Sequence, residues 1–165
     1  MLAHTLEWRE ESVLMAGIYP DVRSGKLLMP FTRSASYNPP KWKLPGGGVQ
    51  VNETAEKAVV REYFEETGLV VAEIRYFGFT EKPSRISRDK THKQHLFGAI
   101  IPDIAGFKPS TWDGDELLTN VFFPVDDIKL AITHRLNLGG HAILNLHVEH
   151  IKKAFNEIFK EEGVM

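Results

Sequence analysis

Residues 47–69 read GGVQVNETAEKAVVREYFEETGL, and this stretch decides the fold. No proline or glycine interrupts residues 54–67, and two alanines near the start favour a helix. Gly68 stands where a residue in the left-handed conformation commonly ends a helix, because glycine adopts that conformation without a steric penalty. The stretch therefore predicts a glycine loop followed by a helix over residues 54–67.

Three carboxylates of this helix, those of Glu62, Glu65 and Glu66, fall on one side within a single turn, because successive residues are about 100° apart. Such glutamates commonly belong to a solvated face. The same stripe, however, continues toward the start of the helix as small or apolar residues, namely Ala55, Ala58 and Val59. The stripe therefore favours carboxylates that point inward or into a cleft.

The opposite side of the helix carries Val60 and Phe64, with Tyr63 between the two sides. The helix is therefore expected to be packed on more than one face, which suits it poorly to exposing three charges for solubility. A cation would relieve the repulsion between the carboxylates, whose oxygens are hard ligands suited to Mg²⁺ or Mn²⁺. Because magnesium shares its remaining coordination sites between water and substrate phosphate, this composition indicates a phosphoryl or diphosphate site.

Strands are predicted on the N-terminal side of the helix. Residues 13–19 are typical of a buried strand, and residues 26–31 of a second strand that forms a hairpin with the first or lies beside it. Residues 37–43 are predicted to form a proline-broken loop with an exposed Trp42. The three glycines at 46–48 favour neither helix nor strand, so irregular backbone is expected there.

The remainder of the chain predicts further strands and two more helices. Asp126 or Asp127 is expected to cap a short helix that ends at Ile132, and a final helix is expected over residues 141–162. The predicted strands span 70–80, 94–101 and 120–125, with a basic loop at 82–93 and an acidic turn at 113–116 between them. This order lacks regular alternation of strand and helix, so it predicts an α+β domain with a mixed sheet flanked by helices.

The composition of the whole chain limits the number of domains and the classes of partner that are expected. The chain has 165 residues, of which 42% are hydrophobic and 25% charged, and this fits one domain over residues 1–165. A net charge of −2 gives no overall field that would favour nucleic acid or an anionic membrane. The absence of cysteine excludes disulfides and thiolate metal sites, and a cytoplasmic location is expected. The longest apolar stretch, residues 13–19, is far shorter than the roughly 20 residues that span a bilayer, so neither a signal peptide nor a membrane span is predicted.

The acidic helix and its preceding loop resemble the Nudix hydrolases, also called the MutT-like family. The family pattern is Gly, five residues, Glu, seven residues, then Arg-Glu, an apolar residue, any residue, Glu-Glu, any residue, Gly and an apolar residue. The matching positions are Gly47, Glu53, Arg61, Glu62, Glu65, Glu66, Gly68 and Leu69. Tyr63 departs from the pattern, since the family usually has an aliphatic residue there. Residues 42–47 and 122–127 also resemble the family, so the likeness extends over most of the domain.

This resemblance implies a Nudix-type α/β/α sandwich and a metal centre. By the resemblance, the ligands of the Mg²⁺ or Mn²⁺ ion would be the carboxylates of Glu62, Glu65 and Glu66 and the carbonyl of Gly47. Arg61 and Glu53 would orient these groups, and Glu62 is alternatively the general base. Glu116 is a further candidate base or ligand, although a solvated acid in a turn is the alternative.

Three residues are candidates for substrate binding. Arg33 follows the second strand, where family members often carry a basic residue that faces the substrate. Trp42 either stacks on a base or packs the proline-containing loop. Arg85 belongs to the basic loop, whose cations either grip phosphates or are merely solvated. His147 and His150 are expected to be ordinary surface or interface histidines, because no matching third metal ligand is apparent near them.

The implied reaction is cleavage of a diphosphate linkage in a nucleoside diphosphate derivative by attack of activated water on phosphorus. The substrate class includes nucleoside triphosphates, ADP-ribose, nucleotide sugars, dinucleoside polyphosphates and capped RNA ends. The expected partner is thus a small nucleotide rather than a membrane or other nucleic acid, and a homodimer is compatible with the sequence. Alternative functions are a non-catalytic regulator that binds a nucleotide and a cation-binding helix without catalysis.

Overall fold

The computed structural model describes residues 10–84 and 90–160. Within these ranges the strands are β1 (Glu11–Asp21), β2 (Lys26–Ser34), β3 (Lys41–Lys43), β4 (Gly46–Gly48), β5 (Ala72–Pro83), β6 (Thr91–Ile100), β7 (Ser110–Asp113), β8 (Glu116–Pro124) and β9 (Ala142–Ile143). The helices are α1 (Ala55–Thr67), α2 (Val125–His134) and α3 (Asn145–Phe159). In the described part of the chain, no helix is long and apolar enough to cross a bilayer.

Strand β1 organises the sheet. It pairs in parallel with β6 and antiparallel with β2 and β4. Beyond β6 the sheet continues to β5, and beyond β2 it continues to β3 and β8. The predicted β1–β2 hairpin and the predicted mixed sheet are therefore confirmed.

Alternate side chains of β1 pack into two separate hydrophobic cores, because successive side chains of a strand point to opposite faces of the sheet. Leu14, Ala16 and Ile18 pack with residues of α2 and α3. Val13 and Met15 pack with residues of α1. The sheet is thus covered by helices on both faces, as expected for an α/β/α sandwich.

Helix α1 forms where its sequence predicts it. The Thr54 side chain accepts a hydrogen bond from the Lys57 N–H, and Gly68 ends the helix with φ of 76°. The expectation of packing on more than one face is wrong. Val60 and Phe64 are 37% and 50% exposed, whereas Tyr63 is fully buried, so α1 buries a single side against β1 and β4.

The expectation of irregular backbone at the glycines is also wrong. Residues 46–48 form β4, which pairs with β1 from Gly48 opposite Ser12 to Gly46 opposite Leu14. A methyl group on Gly46 would lie 1.9 Å from the Val13 carbonyl oxygen. Glycine is needed here because it lets two strands approach more closely than side chains allow.

The C-terminal helices differ from expectation at their starts. Pro124, not Asp126 or Asp127, is the N-cap of α2, and the two aspartates lie in its first turn. Helix α3 begins at Asn145, because Ala142 and Ile143 pair with β3 as the short strand β9.

The predicted basic loop at 82–93 is shorter than expected, because its two ends belong to β5 and β6. Strand β7 was not predicted by the sequence. It forms a hairpin with β8 around the acidic turn, with Asp113 paired opposite Glu116.

Candidate functional site

Arg61 links the loop and the acids of α1. Its guanidinium donates to both oxygens of Glu53, at 2.8 and 2.9 Å, and to Glu62 Oε1 at 2.9 Å. It also donates to the Gly48 carbonyl oxygen at 3.0 Å and lies 3.3 Å from Glu65 Oε2. Hydrogen bonding to Arg61 holds the pKa of Glu53 below its usual value, so this acid stays ionised. Arg61 therefore fixes β4 relative to the helix.

Glu66 is the most deeply buried carboxylate of the helix, with 5% exposure. One oxygen, Oε1, accepts a hydrogen bond from the Gly46 N–H at 3.2 Å. Burial raises the pKa of Glu66 to about 8, and the charge of Glu62 adds to the increase, whereas Lys43 opposes it. A cation beside this carboxylate would stabilise its ionised form.

Glu62 faces Gly47 across a very short gap. A methyl group on Gly47 would lie 2.4 Å from the Glu62 carboxyl carbon, so the space that glycine leaves is filled by the carboxylate. Burial is the main cause that raises the pKa of Glu62, although Arg61 lowers it. The Glu62 carboxylate and the Gly47 backbone thus form one small oxygen-lined cradle.

Glu65 differs from its two neighbours because its side chain is 55% exposed and paired with Arg61. In the described part of the chain, no three acid or histidine side chains already meet closely enough to hold a metal ion. The donor set nevertheless suits a hard divalent cation, since the cradle offers carboxylate and carbonyl oxygens near the buried acid Glu66.

Glu116 lies at the start of β8 and has polar partners, unlike a merely solvated turn acid. Its carboxylate accepts a hydrogen bond from the Ser34 hydroxyl, which lies 2.7 Å from the Ser36 hydroxyl. These hydroxyls hold the pKa of Glu116 below its usual value. A cavity of about 580 Å³ lies beside it, lined in part by Trp112 and Asp113.

Trp42 is buried, so the expected exposed indole is wrong. Its exposure is 1%, its Nε1 donates to the Leu138 carbonyl, and its ring contacts Phe123 at 5.0 Å between centroids. The packing alternative therefore describes Trp42, whereas its role in substrate binding stays a prediction. Arg33 lies over the indole ring, with its guanidinium carbon 5.0 Å from the ring centroid. Arg85 lies outside the described residues.

A family model described as the NUDIX domain matches residues 12–139 of the chain. The matched range runs from β1 through α1 and α2 and includes Glu62, Glu65 and Glu66. The chain belongs to the Nudix family. Tyr63 is the one departure within the family pattern, and its fully buried ring packs in the core beneath the Nudix helix α1.

Two curated relatives illustrate the range of proteins that this Nudix chain is similar to. It is 62% identical to the NAD-capped RNA hydrolase NudC of Vibrio cholerae over 76 residues, which cover 46% of the chain and 28% of that protein. It is 37% identical to the ADP-ribose pyrophosphatase of Methanocaldococcus jannaschii over 93 residues, which cover 55% of the chain and 51% of that protein. Three of the curated relatives, including this pyrophosphatase, are matched over only 51% to 65% of their own length.

Among solved structures, a MutT/Nudix family protein from Listeria innocua superposes with a TM-score of 0.62 at 25% identity. The superposition covers 94% of this chain and 97% of that one. The arrangement of a mixed sheet between helices is therefore the Nudix fold.

Sequence reasoning missed the positions of three residues, two beside the Nudix helix and one on the opposite face of the sheet. The positive charge of Lys43 opposes the rise in the pKa of Glu66, and it also acts on Glu116 and His147. Asp113 adds negative charge beside Glu62 and Glu66. His147 is buried rather than at the surface, and its Nδ1 accepts a hydrogen bond from the Leu44 N–H at 2.9 Å. The signal for Lys43 was its place directly before the Leu-Pro-Gly-Gly loop, whereas Asp113 and His147 approach only through tertiary packing.

Proposed function

We propose that this chain is a divalent-cation-dependent hydrolase that cleaves a diphosphate linkage in a nucleoside diphosphate derivative. The observation that carries the proposal is the pair of carboxylates, partly buried Glu62 and buried Glu66, packed against the glycine strand β4. Ionisation of both carboxylates places like charges close together in a poorly solvated position, and a divalent cation would stabilise that state. Their oxygens favour Mg²⁺ or Mn²⁺.

The residues that would hold the ion are Glu62, Glu65, Glu66 and the carbonyl of Gly47. Glu65 would contribute by turning from Arg61 toward the ion, since its exposed side chain is free to change rotamer. When bound, the ion would neutralise negative charge that develops on the bridging oxygen of the diphosphate.

The remaining groups would orient these acids and accept a proton. Arg61 would keep Glu62 in place through its hydrogen bonds to Glu53 and the Gly48 carbonyl. Two carboxylates are candidates to take a proton from the attacking water. Glu62 has a raised pKa, which makes it the stronger base, whereas Glu116 stays ionised to lower pH.

A substrate panel tests the proposal. The purified chain would be incubated with nucleoside triphosphates, ADP-ribose, nucleotide sugars, dinucleoside polyphosphates and capped RNA ends, with Mg²⁺, with Mn²⁺ and with chelator. Reaction in ¹⁸O-labelled water identifies the attacked phosphorus, because the label enters the product that carries it. We expect cation-dependent turnover of at least one diphosphate, and absence of turnover on all of them would overturn the proposal.

ADP-ribose and nucleotide sugars form a narrower alternative within the same chemistry, and the archaeal relative named as an ADP-ribose pyrophosphatase is the observation that favours including them. A non-catalytic nucleotide-binding regulator is the alternative from a different class. Equilibrium binding of a nucleotide together with absent turnover would favour the regulator. Light scattering of the purified chain would test whether it forms a homodimer.

A further inference from the structure

A buried side-chain amide joins β8 to the C-terminal end of α1. Asn120 is 3% exposed, and its Nδ2 donates to the Glu66 carbonyl oxygen at 2.7 Å and to the Lys108 carbonyl oxygen at 2.9 Å. Its Oδ1 accepts a hydrogen bond from the Thr32 hydroxyl at 2.7 Å. Because carbonyl oxygens only accept, the two partners of Nδ2 determine the orientation of the amide. Asn120 thus uses both N–H donors and its acceptor within the protein.

The amide contacts a helix end that needs partners. The last four carbonyl groups of an α-helix find no N–H donor within the helix. In α1, the Thr67 carbonyl accepts from the Lys108 N–H at 2.8 Å, and the Glu66 carbonyl accepts from Asn120. Because Asn120 also donates to the Lys108 carbonyl, it holds the segment that caps Thr67 as well. The last turn of α1 is therefore fixed from β8.

Glu66 is held at two points. Asn120 fixes its backbone carbonyl, and its carboxylate accepts the Gly46 N–H. The backbone contact is the shorter of the two, at 2.7 Å against 3.2 Å. A shift of the last turn would therefore carry the Glu66 carboxylate away from β4, where the Gly47 backbone and the Glu62 carboxylate form the oxygen-lined cradle.

Strand β8 carries Glu116 on the same face as Asn120. Residues four apart on a strand point to the same side, and Asn120 points toward α1, so Glu116 lies on the side of the acids. The neighbouring strand β2 supports both side chains, because Thr32 donates to Asn120 and Ser34 donates to Glu116. Thr32 is paired directly opposite Asn120. One pair of strands therefore sets the positions of both Glu66 and Glu116.

We propose that Asn120 is a positioning residue, which fixes the Glu66 carboxylate for binding of a divalent cation and sets its place relative to Glu116. Asn120 acts through the backbone of Glu66 and contacts neither the cation nor the substrate. The inference deepens the proposed function and rests on it for the role of Glu66 as a metal ligand. An amide that only satisfied the end of α1 would contribute to stability alone, whereas a positioning residue also contributes to metal affinity in the folded protein.

Mn²⁺ binding without substrate, measured by electron paramagnetic resonance, tests the positioning role. Asn120→Asp keeps nearly the same shape and an acceptor for Thr32, but it places an oxygen where Nδ2 donates to the Glu66 carbonyl. We expect about 10-fold weaker Mn²⁺ binding, because groups that orient metal ligands typically contribute 10- to 100-fold to affinity. The added negative charge would by itself favour a cation, so it cannot cause this loss.

The matched control is Thr32→Val, which breaks the other hydrogen bond of the same amide and leaves the contact with Glu66 in place. It should lower the midpoint of thermal unfolding, because the Asn120 acceptor loses its partner, and it should bind Mn²⁺ as the wild type does. Asn120→Ala, which also lacks the Nδ2 donor, stands in if Asn120→Asp fails to fold by circular dichroism.

A double-mutant cycle identifies the residue through which Asn120 acts. In a Glu66→Gln background, Asn120→Asp should weaken Mn²⁺ binding little further, because the carboxylate that Asn120 positions is already gone. Additive losses would overturn the proposal, as would wild-type affinity in a folded Asn120 variant, equal weakening by Thr32→Val, or no Mn²⁺ binding by the wild type. Turnover is not needed for these measurements. Mn²⁺ binding with the expected cycle but no hydrolysis of any diphosphate would overturn the proposed function alone.

Discussion

Helices α1 and α3 hold the same short backbone segment from opposite faces of the sheet, and they do so with different chemistry. From α1, the Glu66 carboxylate accepts the Gly46 N–H; from α3, the His147 imidazole accepts the Leu44 N–H. Both acceptors are buried. Glu66 is an acid that burial protonates unless a cation is near, whereas His147 is a base that burial keeps neutral. Both helices therefore fix the backbone of residues 44–46, but only the Glu66 side carries a group whose ionised form a metal ion would stabilise.

The largest effect is expected from Glu66→Gln, which removes the charge that distinguishes the α1 contact from the α3 contact. Glutamine retains an acceptor for the Gly46 N–H but supplies no negative charge. We expect metal-dependent turnover to fall by about 100-fold, because even indirect partners of metal ligands cost 10- to 100-fold. Glu65→Gln should fall by at least about 10-fold on the same grounds. Steady-state kinetics with varied Mg²⁺ would measure both, and unchanged rates would remove these acids from the site.

A smaller loss is expected from Gly47→Ala, which fills the cradle on the α1 side. Its methyl group would displace the Glu62 carboxylate, a movable side chain, so the fold should persist while turnover drops by about 10-fold. Gly46→Ala provides the contrast, because its methyl group would meet the Val13 backbone and should unfold the protein. Circular dichroism and kinetics on both variants would separate the two effects. Full activity of Gly47→Ala would contradict the cradle.

The pH dependence of stability should distinguish the two helices. Glu66 has its folded pKa raised from 4.5 to about 8, so its favourable contribution is present below pH 4.5 and is lost as pH rises through 8. His147 has its folded pKa lowered from 6.5 to about 3, so its contribution is present above pH 6.5 and is lost as pH falls toward 3. From these two groups, metal-free protein should be most stable between pH 4.5 and 6.5, and thermal unfolding scans would measure this.

Two variants test which group causes the loss of stability at each end of the pH range. Glu66→Gln should flatten the decline on the alkaline side, and His147→Asn should flatten the decline on the acid side. Added Mg²⁺ should restore stability at alkaline pH, because it favours the ionised carboxylates. A profile that neither variant changes would show that other groups control it.

The smallest effect concerns Tyr63→Phe in the core beneath α1. The Tyr63 hydroxyl is buried without a hydrogen-bond partner among the described residues, and it lies against Gly17. Removing it should raise the free energy of unfolding by about 1 kcal/mol, since an unsatisfied buried hydroxyl is lost. Denaturant titration measures the change, and Tyr19→Phe, at a half-buried site, serves as the control. A decrease in stability would mean that the hydroxyl has a partner such as a bound water.

Helices α1 and α3 also differ in how far their positions could be predicted from the sequence. Helix α1 has local signals at both ends, Thr54 and Gly68, and its acids follow from spacing within one turn. Helix α3 has no side-chain cap at Leu144, and its start is set by the pairing of Ala142 and Ile143 with β3, which no local pattern reveals. The glycine strand and the burial of Trp42 depend likewise on neighbours that are distant in the chain.

The parallel pairing of β1 with β6 also bears on how the protein is made. Eight register pairs join these strands, from Glu11 with Lys93 to Ile18 with Ile100. Contacts between such distant segments slow folding, because a long loop must close before any of them forms. During synthesis, the apolar β1 therefore leaves the ribosome long before its central partner exists. We expect chaperone dependence of the nascent chain to persist at least until residue 100 has emerged.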